Sequence, residues 1–219
     1  MPFLFANIYI MNKGLFIVLE GPDRSGKSTQ AALLKAWLEK QGMEVVLTRE
    51  PGGTAVSEKI RDILLDPEMK MARLAELFLF SASRCQLTQE IIKPSLAAGK
   101  AVISDRFTMS TEAYQGYGRG LPLDEIRQIN AIATDGIKPD ITIVFEVSEK
   151  EFEKRIREQE RICPDRFERE DIEFRRRIRQ AFSELADRPG TVKIDSSKTI
   201  EEIHRQIKDI ICGIKPMPH

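Results

Sequence analysis

A chain of 219 residues, with 42% hydrophobic and 31% charged side chains, has the length of one α/β domain and is not a disordered tail. Its 34 basic and 34 acidic side chains cancel, so the basic excess that drives binding to nucleic acid is missing and no such partner is expected. Three scattered cysteines, Cys85, Cys163 and Cys212, form no CxxC pair, which speaks against a disulfide framework or zinc site and for a reducing, cytoplasmic compartment.

Met1–Ile10 is apolar and uncharged. It is too short to span a bilayer and lacks the basic start and cleavage site of a signal peptide, so it reads either as an N-terminal extension or as an extra strand packed on the domain, and no membrane partner is expected. Residues 11–219 then read as a single domain. Leu15–Glu20 is an apolar run that predicts a buried strand, followed by a glycine-rich loop and a helix over Lys27–Lys40. That helix carries Leu33, Leu34, Trp37 and Leu38 as its apolar stripe and ends at Gly42. Further buried strands are predicted at Glu44–Thr48, Ala101–Ser104, Ile141–Val147 and Val192–Ile194. Between and after them, helical patterns cover Val56–Leu65, Met71–Ala98, Leu123–Thr134, Glu149–Glu160, Ile172–Leu185 and Ile200–Cys212. Alternation of strands with helices predicts a doubly wound parallel sheet covered on both faces, with ligands at the carboxyl ends of its strands. With only His204 and His219 in the chain, histidine catalysis is not expected.

The loop after the first strand reads Gly21-Pro22-Asp23-Arg24-Ser25-Gly26-Lys27-Ser28-Thr29, a G-x-x-x-x-G-K-S pattern set between a strand and a helix. Gly21 and Gly26 let the backbone curl so that successive N–H groups face phosphate oxygens, and the helix N-terminus adds partial positive charge. Lys27 is placed for the β- and γ-phosphates of ATP and the Ser28 hydroxyl for Mg²⁺. The loop alone does not choose between GTPases, motors and small kinases. No N-K-x-D base-reading motif is present, and the chain is short for a motor.

Three further clusters suit a second ligand. Thr48-Arg49-Glu50-Pro51-Gly52-Gly53-Thr54 opens the helix that carries Arg61, and Ser104-Asp105-Arg106-Phe107 closes the third strand. On the long helix Glu76, Phe80 and Arg84 recur every four residues and share one face, offering a flat plate and a fork of donors to a base.

Taken together, "EGPDRSGKSTQ", "TREPGGT", "LFLFSASR", "SDRFTMSTEAYQGYGRG" and "PDRFERE" resemble the thymidylate kinase family from about Leu15 to the C-terminal helix. The resemblance implies a P-loop NTPase fold, a five-stranded parallel sheet with a mobile lid at Arg157–Glu170. It implies transfer of the γ-phosphate of ATP to dTMP, in dTTP synthesis, by a homodimer. Position by position it implies that Phe80 stacks on thymine and Arg84 reaches its O4, with Thr111 and Gln115 bordering the base. Tyr114 would crowd the sugar 2′ position, Asp23 would approach the 3′-hydroxyl, and Glu50 would lie near the sugar. Arg61 and Arg106 would clamp the acceptor phosphate, and Asp105 would join Ser28 at the metal. Arg24 in the loop and Arg157, Arg161 and Arg166 in the lid are candidates to contact the transferring phosphoryl group. Leu74, Leu77, Phe78 and Leu79 offer an apolar face for a second subunit. A kinase for another monophosphate and a non-catalytic nucleotide-dependent regulator remain as the competing readings.

Overall fold

The computed structural model describes residues 14–158 and 165–214; Met1–Ile10 lies outside them. Five strands, β1 (Leu15–Glu20), β2 (Val45–Arg49), β3 (Ala101–Asp105), β4 (Ile141–Glu146) and β5 (Thr191–Asp195), form one parallel sheet in the order β2-β3-β1-β4-β5. β1 lies at its centre, with Leu15 opposite Ala101 on one side and Ile17 opposite Ile141 on the other. Chain order departs from spatial order on both sides of β1, so the crevice beyond its carboxyl end is where a ligand belongs.

β1 is buried through its length, and β3 and β4 are buried up to their last residues, Asp105 and Glu146. The sequence predicts five buried strands, but β2 and β5 are sheet edges, and Leu47 on β2 is 39% exposed. An edge strand lacks a neighbour on one side, which a run of Val and Ile cannot reveal.

Side chains of β1 alternate between the two faces. Leu15, Ile17 and Leu19 join a core with Ala31, Leu34 and Leu38 of α1 (Lys27–Lys40) and with Ile203, Ile207 and Ile211 of the last helix, Ile200–Ile214. Each such buried Leu or Ile contributes about 1.5–3 kcal/mol. Phe16 and Val18 face the opposite core with Leu87, Ile92 and Phe107. On α1 the buried stripe runs Ala31, Leu34 and Leu38, and Leu33 points outward at 37% exposure. One residue of helix turns a side chain by about 100°, which carries Leu33 off the stripe.

α2 (Ala55–Leu65) starts on Thr54, whose side chain accepts the Ser57 N–H. The single helix predicted over Met71–Ala98 is three pieces: α3 (Arg73–Leu87), a π-helical turn at Thr88–Ile92, and α4 (Lys93–Ala97). Pro94 has no N–H to donate and its ring would meet the carbonyl one turn back, so the wider turn absorbs the misfit. A second helical stretch, α5 (Thr108–Thr111) widening into π-helix over Glu112–Gly118, falls where the sequence gives no helical signal. Gly116 and Gly118 lower its helix propensity, yet both are needed. A Cβ on Gly116 would lie 2.5 Å from a Leu123 methyl, and one on Gly118 2.7 Å from the Phe174 ring. α6 (Leu123–Ala133), α7 (Glu149–Glu158), α8 (Ile172–Leu185) and α9 (Ile200–Ile214) follow. Among the described residues no helix is long and apolar enough to cross a membrane.

Candidate active site

The loop from Gly21 to Thr29 leaves the end of β1 and turns into α1. Gly21 has φ 140°, and a Cβ there would sit 2.7 Å from the Phe145 carbonyl oxygen, so no other residue fits. Gly26, at φ 94°, is the N-cap of α1. Inside the curl Lys27 is buried, its Nζ donating to the carbonyl oxygens of Gly21 (3.0 Å) and Pro22 (2.7 Å) and to Ser25 Oγ (3.2 Å). Burial, aided by the charge of Arg106, lowers the Lys27 pKa to about 8, against the pull of Asp105, Asp23 and Glu20. Ser28 and Thr29 are exposed at the start of α1. Ser28 Oγ donates to Asp105 Oδ2 at 2.6 Å, because β3 lies beside β1 with Asp105 opposite Leu19. A hydroxyl and a carboxylate side by side are the hard oxygen donors that suit Mg²⁺ sharing its remaining positions with water and phosphate.

Arg106 ties this loop to the next one. Its backbone takes φ 77°, and the Ser104 hydroxyl donates to its carbonyl oxygen at 2.7 Å. Nη1 donates to Gly21 O (2.9 Å) and Ser110 Oγ (3.0 Å), and Nη2 to Asp23 Oδ1 (2.6 Å) and the Tyr114 hydroxyl (3.2 Å). The Tyr114 hydroxyl donates to Asp23 Oδ2 at 2.8 Å. Partial loss of solvation works against ionisation of Asp23, whose side chain is still half exposed, but the Arg106 and Lys27 charges and the Tyr114 bond hold its pKa at about 2. Glu20, at the end of β1, is fully buried, and burial raises its pKa to about 7 although Arg106 and the bonds from Ser110 and Phe107 pull the other way.

Beside the phosphate loop lies a cleft open to solvent. Its wall contains every residue expected at the acceptor: Asp23, Glu50, Arg61, Phe80, Arg84, Arg106, Thr111, Tyr114 and Gln115. Phe80 stands 5.8 Å, centroid to centroid, from Phe167, which in turn meets Tyr114 edge-on at 5.7 Å. Arg61, which lines the cleft, donates through Nη1 to Pro51 O at 2.8 Å.

Arg84 is 1% exposed, and each nitrogen of its guanidinium donates to a protein acceptor. Nε donates to Glu50 Oε2 (2.7 Å), Nη1 to Thr111 Oγ1 (2.7 Å) and Asn130 Oδ1 (2.6 Å), and Nη2 to Phe107 O (2.9 Å), with Nη2 also ion-paired to Glu50 Oε2 at 2.6 Å. The sequence presents Arg84 as a fork held out to a base; the fold surrounds it with acceptors and makes it a buried strut behind the cleft wall as well. Burial raises the Glu50 pKa against the pull of Arg84.

The lid arginines separate. Arg24, at φ 64° in the phosphate loop, donates through Nη2 to Glu168 Oε1 at 3.1 Å, linking loop to lid. Arg166 turns toward the base end: it bonds Glu76 and the Leu64 carbonyl oxygen (2.9 Å), and its guanidinium lies 4.6 Å above the Phe167 ring. The expectation that Arg166 meets the transferring phosphoryl group is not how this conformation holds it. Arg161 and the side chain of Arg157 lie outside the described residues.

Sequence reasoning gave no role to Glu20, Ser110, Asn130, Asp165 or Phe167. Phe167 and Asp165 sit in the "PDRFERE" run, whose Phe between charges was the available signal. Glu20 had none, because a carboxylate at a strand end reads as solvated until the neighbouring loop is seen.

The family model described as thymidylate kinase matches residues 19–207. The chain is 45% identical over 205 residues to a thymidylate kinase of Halothermothrix orenii, covering 92% of this chain and 98% of that protein. With a thymidylate kinase of Deinococcus radiodurans it shares 41% over 199 residues, 90% of this chain and 96% of the relative. Among solved structures, the thymidylate kinase of Ehrlichia chaffeensis aligns at a TM-score of 0.74 and 35% identity, covering 91% of this chain and 98% of that one.

Proposed function

The chain belongs to the thymidylate kinase family, and from that premise we propose the following reading of its site. The protein is a nucleoside monophosphate kinase that transfers the γ-phosphate of ATP to dTMP, giving ADP and dTDP. One observation carries the assignment of residues: a single cleft is lined by the rings of Phe80 and Phe167 and by Arg106, which bonds directly to the phosphate loop at Gly21. A pyrimidine monophosphate laid along it puts the base on Phe80 and the phosphate against Arg61 and Arg106.

An oxygen of the acceptor phosphate attacks the γ-phosphorus, the bond to the β-phosphate oxygen breaks, and ADP leaves. That oxygen is already ionised, so no general base is required; the obstacle is repulsion between two polyanions. Lys27 neutralises the donor and Arg61 and Arg106 the acceptor. Arg24 reaches the transferring group from the loop, and Glu168, bonded to it, brings the lid beside the nucleotides. Asp23, ionised at any ordinary pH, holds Arg106 and Tyr114 in place and meets the sugar. Tyr114 excludes a 2′-hydroxyl. Ser28 and Asp105 would hold Mg²⁺, which when bound spreads the charge of the phosphate oxygens.

Two more assignments complete the reading. A second copy docks on the exposed apolar residues Leu74 and Phe78 of α3 and Val56 and Ile63 of α2; Leu77, grouped with them in sequence, is 1% exposed and belongs to the core. Cys85 and Cys212 are unpaired thiols, which suits a cytoplasmic enzyme.

A coupled assay of ADP release across the nucleoside monophosphates, with and without Mg²⁺, tests the whole. Turnover should be strong with dTMP and require the metal. ATP binding without acceptor-dependent ADP release would overturn the assignment.

A further inference from the structure

Glu76 opens α3 one turn before Phe80, and it is 1% exposed. Three side chains donate to it. Gln115 Nε2 (2.8 Å) and Arg119 Nε (3.1 Å) bond Oε1, while Arg119 Nη2 (3.2 Å) and Arg166 Nη1 bond Oε2. Burial pushes its pKa up, but the bonds from Arg119 and Gln115 and the adjacent guanidinium charges outweigh it, so the carboxyl is held below its ordinary range. An ionised carboxylate only accepts.

That fixes a neighbour which could otherwise point either way. A glutamine amide has a donor end and an acceptor end of nearly equal size, and its orientation is decided by its partners. Facing Glu76, Gln115 must turn its NH₂ inward, and its side-chain carbonyl oxygen, with no partner among the described residues, is left for the cleft that Gln115 lines. Beside it the Thr111 hydroxyl accepts from Arg84 and so keeps its own proton to donate. The wall therefore presents an acceptor next to a donor. A thymine or uracil edge, N3–H beside O4, complements that pair; a cytosine edge, bare N3 beside an amino group, opposes it at both points.

We propose that Glu76 is a positioning residue for base selection, locking the Gln115 amide so that the site admits imide pyrimidines and turns cytosine away. The inference rests on the reading that this cleft takes a pyrimidine monophosphate. The same carboxylate, through Arg166, ties the lid to the base reader.

The test compares turnover of dTMP, dUMP and dCMP by the wild-type enzyme and by Glu76→Gln, Glu76→Asp and Gln115→Met, each first checked for native circular dichroism and cooperative melting. Glu76→Gln gives residue 115 a partner that can both donate and accept, so the ratio of kcat/KM for dTMP over dCMP should fall by about tenfold or more, with dUMP following dTMP. Glu76→Asp keeps an acceptor-only partner and should keep the ratio even where the rate drops, which loss of packing alone would not predict. Gln115→Met leaves the arginine pairs of Glu76 intact and should lower the ratio as Glu76→Gln does, so the idea stays testable if Glu76→Gln does not fold. A folded Glu76→Gln or Gln115→Met enzyme with an unchanged ratio overturns the inference alone. A wild-type enzyme without dTMP turnover overturns the reading beneath it.

Discussion

Glu20 reaches from the end of β1 to Ser110, with Oε2 2.6 Å from the Ser110 hydroxyl and Oε1 accepting the Ser110 backbone N–H at 3.1 Å and that of Phe107 at 2.8 Å. Phe107 is the N-cap of α5 and supplies no capping side chain of its own. A carboxylate from the neighbouring strand does that work, satisfying donors that the helix start leaves open. Immediately before it stands Arg106 in the left-handed region, a conformation that costs a bulky residue about 1–3 kcal/mol unless its surroundings impose it. Glu20 and Ser104 impose it, and so aim the guanidinium at Gly21 and Asp23.

The Glu20 pKa, raised by burial to about 7, gives a signature in stability. Between its ordinary value near 4.5 and about 7 the folded protein keeps a proton that the unfolded chain releases. Folding stability contributed at this site is therefore fully present below the lower value and lost as pH rises through the window, by on the order of 3 kcal/mol. Glu20→Gln cannot titrate, so urea denaturation at pH 5 and pH 7.5 should show a smaller difference than in the wild type. An equal difference in both proteins would mean that Glu20 is not the group responsible.

Lys27 should take up a proton when ATP binds. Its pKa in the nucleotide-free site is about 8, and triphosphate charge favours the ammonium form. Calorimetry in buffers of different ionisation enthalpy should register uptake of about half a proton near pH 8 and almost none near pH 6.5, with ATP affinity falling above pH 8. Lys27→Met should abolish the uptake and most of the affinity. Buffer-independent heats at pH 8 would contradict this.

Arg84→Ala should be among the most destabilising single changes in the molecule. It leaves Glu50, 6% exposed, as a buried charge without its partner, and strands acceptors on Thr111, Asn130 and Phe107. A loss of about 3–5 kcal/mol is expected. Since burial already raises the Glu50 pKa, the variant should bind a proton there, and Arg84→Ala combined with Glu50→Gln should recover part of the loss in chemical denaturation.

Arg106→Ala removes the charge between phosphate loop and cleft. Loss of one preorganised cation predicts a fall in kcat of about 10²–10³-fold, with KM for ATP changed little because Lys27 stays in place. Phe80→Ala should do the opposite. It should raise KM for dTMP by about tenfold, through lost stacking and contact area, and leave kcat nearer to normal. Steady-state kinetics on both variants separate the two roles.

Much of this was written into the sequence. The G-x-x-x-x-G-K-S loop could be read because its chemistry is local: glycines, a lysine and a serine at fixed spacing between a strand and a helix. Four-residue spacing put Phe80 and Arg84 on one helix face, the resemblance to the thymidylate kinase family made them cleft residues, and the strands showed in their unbroken apolar runs. What sequence could not give were facts of neighbourhood. Which strands are edges depends on spatial order, and β2 and β5 are half-exposed for that reason alone. Arg84 looked like a free fork until Glu50, Asn130 and Phe107, far apart in the chain, closed around it. Arg166 was one arginine among several in its run, and only the fold shows that it bonds Glu76 and the Leu64 carbonyl oxygen. Glu20 and Glu76 were two acidic residues among many, and only burial beside specific donors made one a helix cap and the other an orienting partner. Local spacing fixes which groups can act; the dielectric and the partners that decide how they act exist only once the chain is folded.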